Sequence, residues 1–239
     1  MESILTIAER IERLDWHAIE SSLWQYGCAE TPPLLSPEEC SAISAMYDEP
    51  QRFRKRVDMA RHSYGLGEYQ YFANPLPDIV GFTRTSLYSR LSPIAERWEQ
   101  ALGHDVTYPE DLDAFLSECH AAGQIHPTPL LLRYPEGGYN CLHQDLYGDV
   151  WFPLQVTAFL SDPEVDCTGG EFLLVEQRPR AQSVGQCLQP PQGSMVVFAT
   201  RYRPVRSARG YSRANVRHGV SRIRSGERAT LGIIFHDAR

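Results

Sequence analysis

Nowhere in the 239-residue chain do eighteen apolar residues run together, which excludes a membrane-spanning helix. The N-terminus lacks a continuous apolar segment and a small-residue cleavage site, because Glu2, Glu9, Arg10, Glu12 and Arg13 interrupt it. No secretion signal is therefore expected, and the expected location is cytoplasmic. Cys28, Cys40, Cys119, Cys141, Cys167 and Cys187 contain no C-x-x-C pair, which argues against a zinc knuckle or a thioredoxin-like motif and predicts reduced, mostly packed thiols. Internal repeats and low-complexity tracts are also missing. Net positive charge is absent: at -7 the chain has no overall attraction for phosphate backbones.

What is present is ordinary globular composition, 42% hydrophobic and 22% charged, with length enough for a full core. Apolar residues at Ile4, Ile7, Ile11, Leu14, Ala18 and Leu23 predict an amphipathic helix over 3–26, broken near Asp15. Ser36, Pro37 and Glu39 form a helix-start signature for a second helix ending about Tyr47. A broad apolar face predicts helix over 77–102, with Pro93 marking a point where a new helix could begin, and another opens near Pro109 and stops before Gly123. Between these, 52–72 shows neither period and reads as a long loop or ribbon whose Tyr64, Tyr69 and Tyr71 could stack on a flat substrate.

After Gln124 the pattern changes to short β-rich runs at 128–134, 154–160, 171–175, 195–199, 215–220 and 230–235, separated by Gly, Pro and Asp. Strands following one another without helices predict an antiparallel barrel or jelly roll. The expected organisation is a single domain over 1–239, mainly β with N-terminal helices (α+β). In it 1–124 supplies helical support and the substrate loop, and 125–239 the catalytic core.

The chemistry concentrates in residues 133–145, RYPEGGYNCLHQD. His143 and Asp145 stand two positions apart, so on an extended strand both leave the same face. A third metal ligand should come from a later strand, and His218 is the best placed. His17 and His120 fall on predicted helices, His104 and His126 border them, His62 sits in the aromatic segment and His236 ends the last strand. Two imidazoles and one carboxylate leave three positions of an octahedral ion open, which suits ferrous iron binding a cosubstrate and O2. Arg228, ten residues after His218, opens an apolar strand, and its guanidinium can grip a carboxylate through two parallel hydrogen bonds. Thr230 shares its face. The partner is either a ligand carboxylate or an Asp or Glu of the protein itself.

Arg-Tyr-x-x-Gly before Leu-His-Gln-Asp, then Gly169-Gly170-Glu171-Phe172, Pro191-x-Gly193-Ser194 and His218-Gly219 with Arg228 downstream resemble the Fe(II)/2-oxoglutarate-dependent dioxygenases over about 128–237. Both the prolyl-hydroxylase-like branch and the AlkB-type demethylases are similar, and the whole chain resembles a bacterial AlkB-like family. The resemblance implies a double-stranded β-helix (jelly-roll) core. It further implies Fe(II) held by His143, Asp145 and His218, and 2-oxoglutarate held by Arg228 and the Tyr134 hydroxyl. Leu132 stands where AlkB-type enzymes carry an asparagine, and Arg228 follows His218 more closely than in those enzymes, at a spacing familiar elsewhere in the superfamily.

The activity implied is oxidation of a substrate C–H bond coupled to conversion of 2-oxoglutarate to succinate. An N-methyl carbon so oxidised leaves as formaldehyde. A nucleic-acid substrate, alkylated DNA or RNA, is suggested by the resemblance, the aromatic segment and a basic strip between Arg201 and Arg224, in which Arg213 and Arg217 are the candidate contacts. The alternatives are hydroxylation of a protein side chain or small metabolite, and a non-catalytic cupin-like metal-binding module.

Overall fold

Residues 5–239 are described by the structure, a computed structural model. The first predicted helix begins outside them, at Ser3. Within them it is two helices, Ile7–Glu12 and Trp16–Tyr26, the second started by the Asp15 carboxylate accepting from the Ala18 N–H. Thr6 with Glu9 and Ser36 with Glu39 form reciprocal capping boxes, the latter opening Pro37–Ala45. Asp78–Ala101 runs unbroken through Pro93, so no new helix begins there. Pro93 sits on the solvent face, where the carbonyl it leaves unpaired meets water, while Leu87, Tyr88, Leu91, Ala95 and Trp98 anchor the opposite face. The next helix is Leu112–Ala121, capped by Asp111.

Of the two readings of segment 52–72, loop or ribbon, the structure corrects the loop and shows the ribbon. The segment forms strands Phe53–Asp58, Gly65–Leu66 and Glu68–Phe72, joined by a short 3-10 turn. Its lack of period has a physical cause: Gln70 and Phe72 are buried on one face while Tyr69 and Tyr71 line a cavity on the other. Apolar and polar residues therefore do not alternate as they do on a half-solvated strand. Gly67, at φ +150°, brings the chain against Tyr134, where a Cβ would lie 2.7 Å from the ring.

A seven-stranded antiparallel sheet runs Cys28–Glu30, Met195–Ala199, Leu154–Phe159, Arg228–Ile233, Leu130–Tyr134, Glu68–Phe72 and Phe53–Asp58. The smaller sheet runs Val184–Leu188, Phe172–Gln177, Gly210–Val220, Tyr139–His143 and Gly65–Leu66, with Tyr202–Ser207 paired to Gly210–Val220. Three strands of the larger sheet thus come from the first half of the chain, which does more than support the core. On the larger sheet, Leu131, Val156, Ala158, Val197, Leu231 and Ile233 belong to the core shared with the helices. The alternate residues Leu130, Leu132, Thr157, Phe198 and Thr230 line the space between the sheets. The result is a mainly β, jelly-roll core with helices packed outside it. No helix among the described residues is long and apolar enough to cross a membrane.

Candidate active site

His143 ends its strand and pairs in register with His218 on the neighbouring strand, placing the two imidazoles 4.2 Å apart between centroids. Asp145 lies just past the strand end, its Oδ2 3.2 Å from His218 Nε2 and its Oδ1 3.6 Å from His143 Nε2. One donor atom from each of the three lies within 4.8 Å of the others. The sequence pattern therefore closes in space, across a ladder pairing rather than along one strand.

The surroundings orient these groups for coordination. His143 Nδ1 sits 2.8 Å from the Cys141 carbonyl, an acceptor, so this nitrogen donates and Nε2 keeps its lone pair toward the cluster. His218 packs on Phe198 at 4.8 Å, and burial, followed by the nearby His143, holds its pKa below the ordinary imidazole range, favouring the neutral ring that metals bind. Burial pushes the Asp145 carboxyl up, but His143, His218 and the Tyr147 hydroxyl together outweigh it and hold it below the usual carboxylate range. Two imidazoles and an ionised carboxylate are a donor set that fits a divalent iron.

A cavity of about 540 Å³ opens beside the triad, and Arg228 stands in its wall. The guanidinium is 4% exposed, its Nη2 has no hydrogen-bond partner, and among the described residues it forms no ion pair. Glu171, the acid it could have used, instead holds Ser221 and Arg224. The alternative of a protein carboxylate partner is thus not realised, and an orphaned buried charge facing a cavity fits an acidic ligand. Gly170, at φ +68°, makes room for it, since a Cβ there would lie 2.7 Å from Arg228 Cδ. Arg228 pairs in register with Tyr134, whose hydroxyl accepts from Asn140 Nδ2 at 3.2 Å, and burial pushes that phenol up to about 12. Thr230 lines the same cavity on the Arg228 face.

Tyr64, Tyr69 and Tyr71 also reach this cavity. Tyr64 is 50% exposed and stacks with His62, and Tyr69 meets Tyr71 edge to face at 5.4 Å. Arg213 and Arg217, the other expected substrate contacts, lie outside its lining. Arg213 is drawn to His104 Nε2 at 2.5 Å and covers the Tyr202 ring, and Arg217, next to inward-facing His218, points to the opposite, solvent side. The basic strip is likewise dispersed: Arg203 is buried against Glu176, Arg222 holds the Gly137 carbonyl and Arg224 holds Glu171.

Three lining residues escaped the sequence reading. Tyr147 follows Asp145 by two, a spacing that could have flagged it. Gln155, a polar residue inside the apolar run LQVTAF with an unpartnered Nε2, carried a signal of its own kind. Asn140 carried none.

The model of a family described as oxygenases catalysing oxidative methylation of damaged DNA matches residues 67–238. Uncharacterized proteins from two strains of Mycobacterium tuberculosis are each 56% identical over 167 residues, covering 70% of this chain and 72% of the relative. Among solved structures, a Pseudomonas putida prolyl-4-hydroxylase aligns with TM-score 0.56 at 16% identity, over 94% of this chain and 99% of that one. A 2OG-Fe(II) oxygenase-family oxidoreductase from Burkholderia pseudomallei aligns with TM-score 0.53 at 14% identity, over 93% and 91%. At such identities the structural likeness is one of fold, and it is the jelly-roll fold described above. Since the match spans well over half of the chain and holds every strand that carries the His-Asp-His cluster and Arg228, the chain belongs to this oxygenase family.

Proposed function

We propose that His143, Asp145 and His218 hold the Fe(II), that Arg228, Thr230 and Tyr134 hold 2-oxoglutarate, and that the substrate is an alkylated base of DNA or RNA. The observation that carries the site assignment is the pairing of an orphaned, buried guanidinium with the His-Asp-His cluster around one cavity. When bound, the iron and 2-oxoglutarate supply the oxidation that turns O2 and 2-oxoglutarate into succinate, CO2 and a hydroxylated substrate carbon. The chain's own part is to bind and orient. Arg228 offers two parallel N–H donors to the distal carboxylate, while Thr230 and Tyr134 add hydroxyls beside it. Phe172, Phe198, Val220 and Leu132 keep this part of the cavity apolar, which strengthens each charge interaction there.

For the substrate, the family's printed description names damaged DNA, and the wall of Tyr64, Tyr69 and Tyr71 offers faces on which an unstacked base can lie. Cations lie closer to this wall than the expected strip does. Arg54 covers the Tyr71 ring at 4.6 Å, and Lys55 lies opposite Tyr71 in register, exposed. Neither forms an ion pair among the described residues; Arg54 Nε donates to the Pro127 carbonyl at 2.8 Å, so what both offer a phosphate is an unneutralised charge. Residues 1–239 then work as one oxygenase domain, in keeping with the strands that the first half contributes to both sheets. All six cysteines are free, as suits a reducing, cytoplasmic setting.

The test is turnover of N-methylated single-stranded DNA and RNA by purified protein with Fe(II) and 2-oxoglutarate, reading succinate and formaldehyde together. A hydroxylated N-methyl group collapses to formaldehyde, so the two should form in equal amounts and both vanish in His143→Ala. Succinate without formaldehyde across alkylated bases would sink the nucleic-acid reading and redirect the search to a protein side chain or metabolite. No succinate above the His143→Ala background would sink the site assignment.

A further inference from the structure

The cavity wall carries a hydrogen-bonded chain that the roles above leave unexplained. Tyr147 Oη lies 2.7 Å from Asp145 Oδ1, and Tyr71 Oη lies 3.0 Å from Tyr147 Oη. A carboxylate can only accept, so Tyr147 donates to Asp145, and Tyr71 must then donate to Tyr147. The direction of the chain is thereby set, from the aromatic wall to the metal-site carboxylate.

Both phenols are held in place. Tyr71 packs with Val57, Leu130 and Ile234, with Arg54 over its face and Tyr69 against its edge. Tyr147 meets Tyr71 edge to face at 6.1 Å and lies beside the His236 ring at 5.9 Å. Asp145 Oδ1 accepts from this chain while lying 3.6 Å from His143 Nε2, and Oδ2 faces His218 Nε2. A carboxylate free to turn could present either oxygen or both to a cation. One whose Oδ1 is claimed by a fixed phenol is held in a single orientation.

Building on the assignment of Asp145 as an iron ligand, we propose that Tyr147 and Tyr71 are positioning residues: they hold the Asp145 carboxylate in one orientation, with Oδ1 toward His143 and Oδ2 toward His218. They also link that ligand by two hydrogen bonds to the wall on which the substrate stacks. Partners of this kind typically change metal affinity by about 10- to 100-fold when removed.

The experiment is a Co(II) titration of the metal-free protein, following the visible absorption of the bound ion, for wild type, Tyr147→Phe, Tyr71→Phe and Tyr26→Phe, an exposed tyrosine outside the cavity. Tyr147→Phe should bind Co(II) about 10- to 100-fold more weakly, with an altered absorption band, and Tyr71→Phe should shift both in the same direction by less. Tyr26→Phe should match wild type, and the melting temperatures of the metal-free proteins should agree. Wild-type affinity and spectrum in Tyr147→Phe would overturn the proposal. So would a weakening that tracks a fall in metal-free melting temperature, since that marks a merely structural role. His143→Ala separates the two layers. If it binds Co(II) as wild type does, the ligand assignment itself fails, whereas weak binding by His143→Ala beside normal binding by Tyr147→Phe removes only the positioning chain.

Discussion

Arg84 and Arg228 are both almost fully buried, at 3% and 4% exposure, yet their surroundings could hardly differ more. Arg84, on the long helix, spends its donors on the Ile234 and Phe235 carbonyls and on Asp237 Oδ1 at 2.9 Å, and Asp237 in turn meets His120. Arg203 is closed in the same manner by Glu176 and the carbonyls of Trp24 and Gln25. Arg228 has two aromatic rings, Tyr134 and Phe159, and a cavity. Burial lowers the pKa of Arg84 and Arg228 alike, but only for Arg84 does a carboxylate in direct contact oppose it, while Glu171 acts on Arg228 from a distance. A buried charge completed by its own chain ties the fold together. A buried charge left incomplete is waiting for a ligand, because desolvating it for nothing costs several kcal/mol.

That contrast can be broken from either side. The largest effect is expected for Asp237→Ala, which strands the Arg84 charge. Unfolding by urea should show a loss of about 3–5 kcal/mol, with 2-oxoglutarate affinity of the folded protein unchanged. A loss near zero would show that Arg84 needs no partner. Next comes Arg228→Met, which gives up two charge-assisted hydrogen bonds whose lower limit together is about 3 kcal/mol. The KM for 2-oxoglutarate should rise roughly 100-fold or more, while the melting temperature holds or rises because an unpaired charge has left the interior. A melting temperature that falls as in Asp237→Ala would place Arg228 among the structural arginines. Tyr134→Phe removes one neutral hydroxyl at about 1 kcal/mol, and a fivefold rise in the same KM is the expected reading. The smallest effect belongs to Arg217→Glu. This exposed side chain touches neither the cavity nor an acid, so stability should stay within about 0.5 kcal/mol and KM for 2-oxoglutarate should not move.

The parts of the site that were legible in sequence are those in which chemistry is written into local spacing. His143 and Asp145 two apart, a histidine in a later strand and an arginine opening an apolar run each make an odd choice for a residue that only packs. The capping box at Ser36 was readable for the same reason, since it acts over three residues. The segment 52–72 was not, because period 2 signals a strand only when its two faces meet different surroundings. Here one face meets the core and the other a cavity. The arginines from Arg201 to Arg224 read as one basic strip, which the fold disperses, for a related reason. Charge along a chain says nothing about the acids and carbonyls folded against it, and Arg203 finds Trp24 across 179 positions.

By itself the sequence determined the inventory: a mainly β second half, a His-Asp-His set, and an arginine in an apolar strand, because these follow from residue type and short-range spacing. Only the tertiary structure decided which groups are left unfinished. Whether an arginine is a strut or a ligand anchor, and whether Tyr147 holds Asp145 or merely packs, depends on partners brought together by strand register and helix packing. No local pattern encodes those distances.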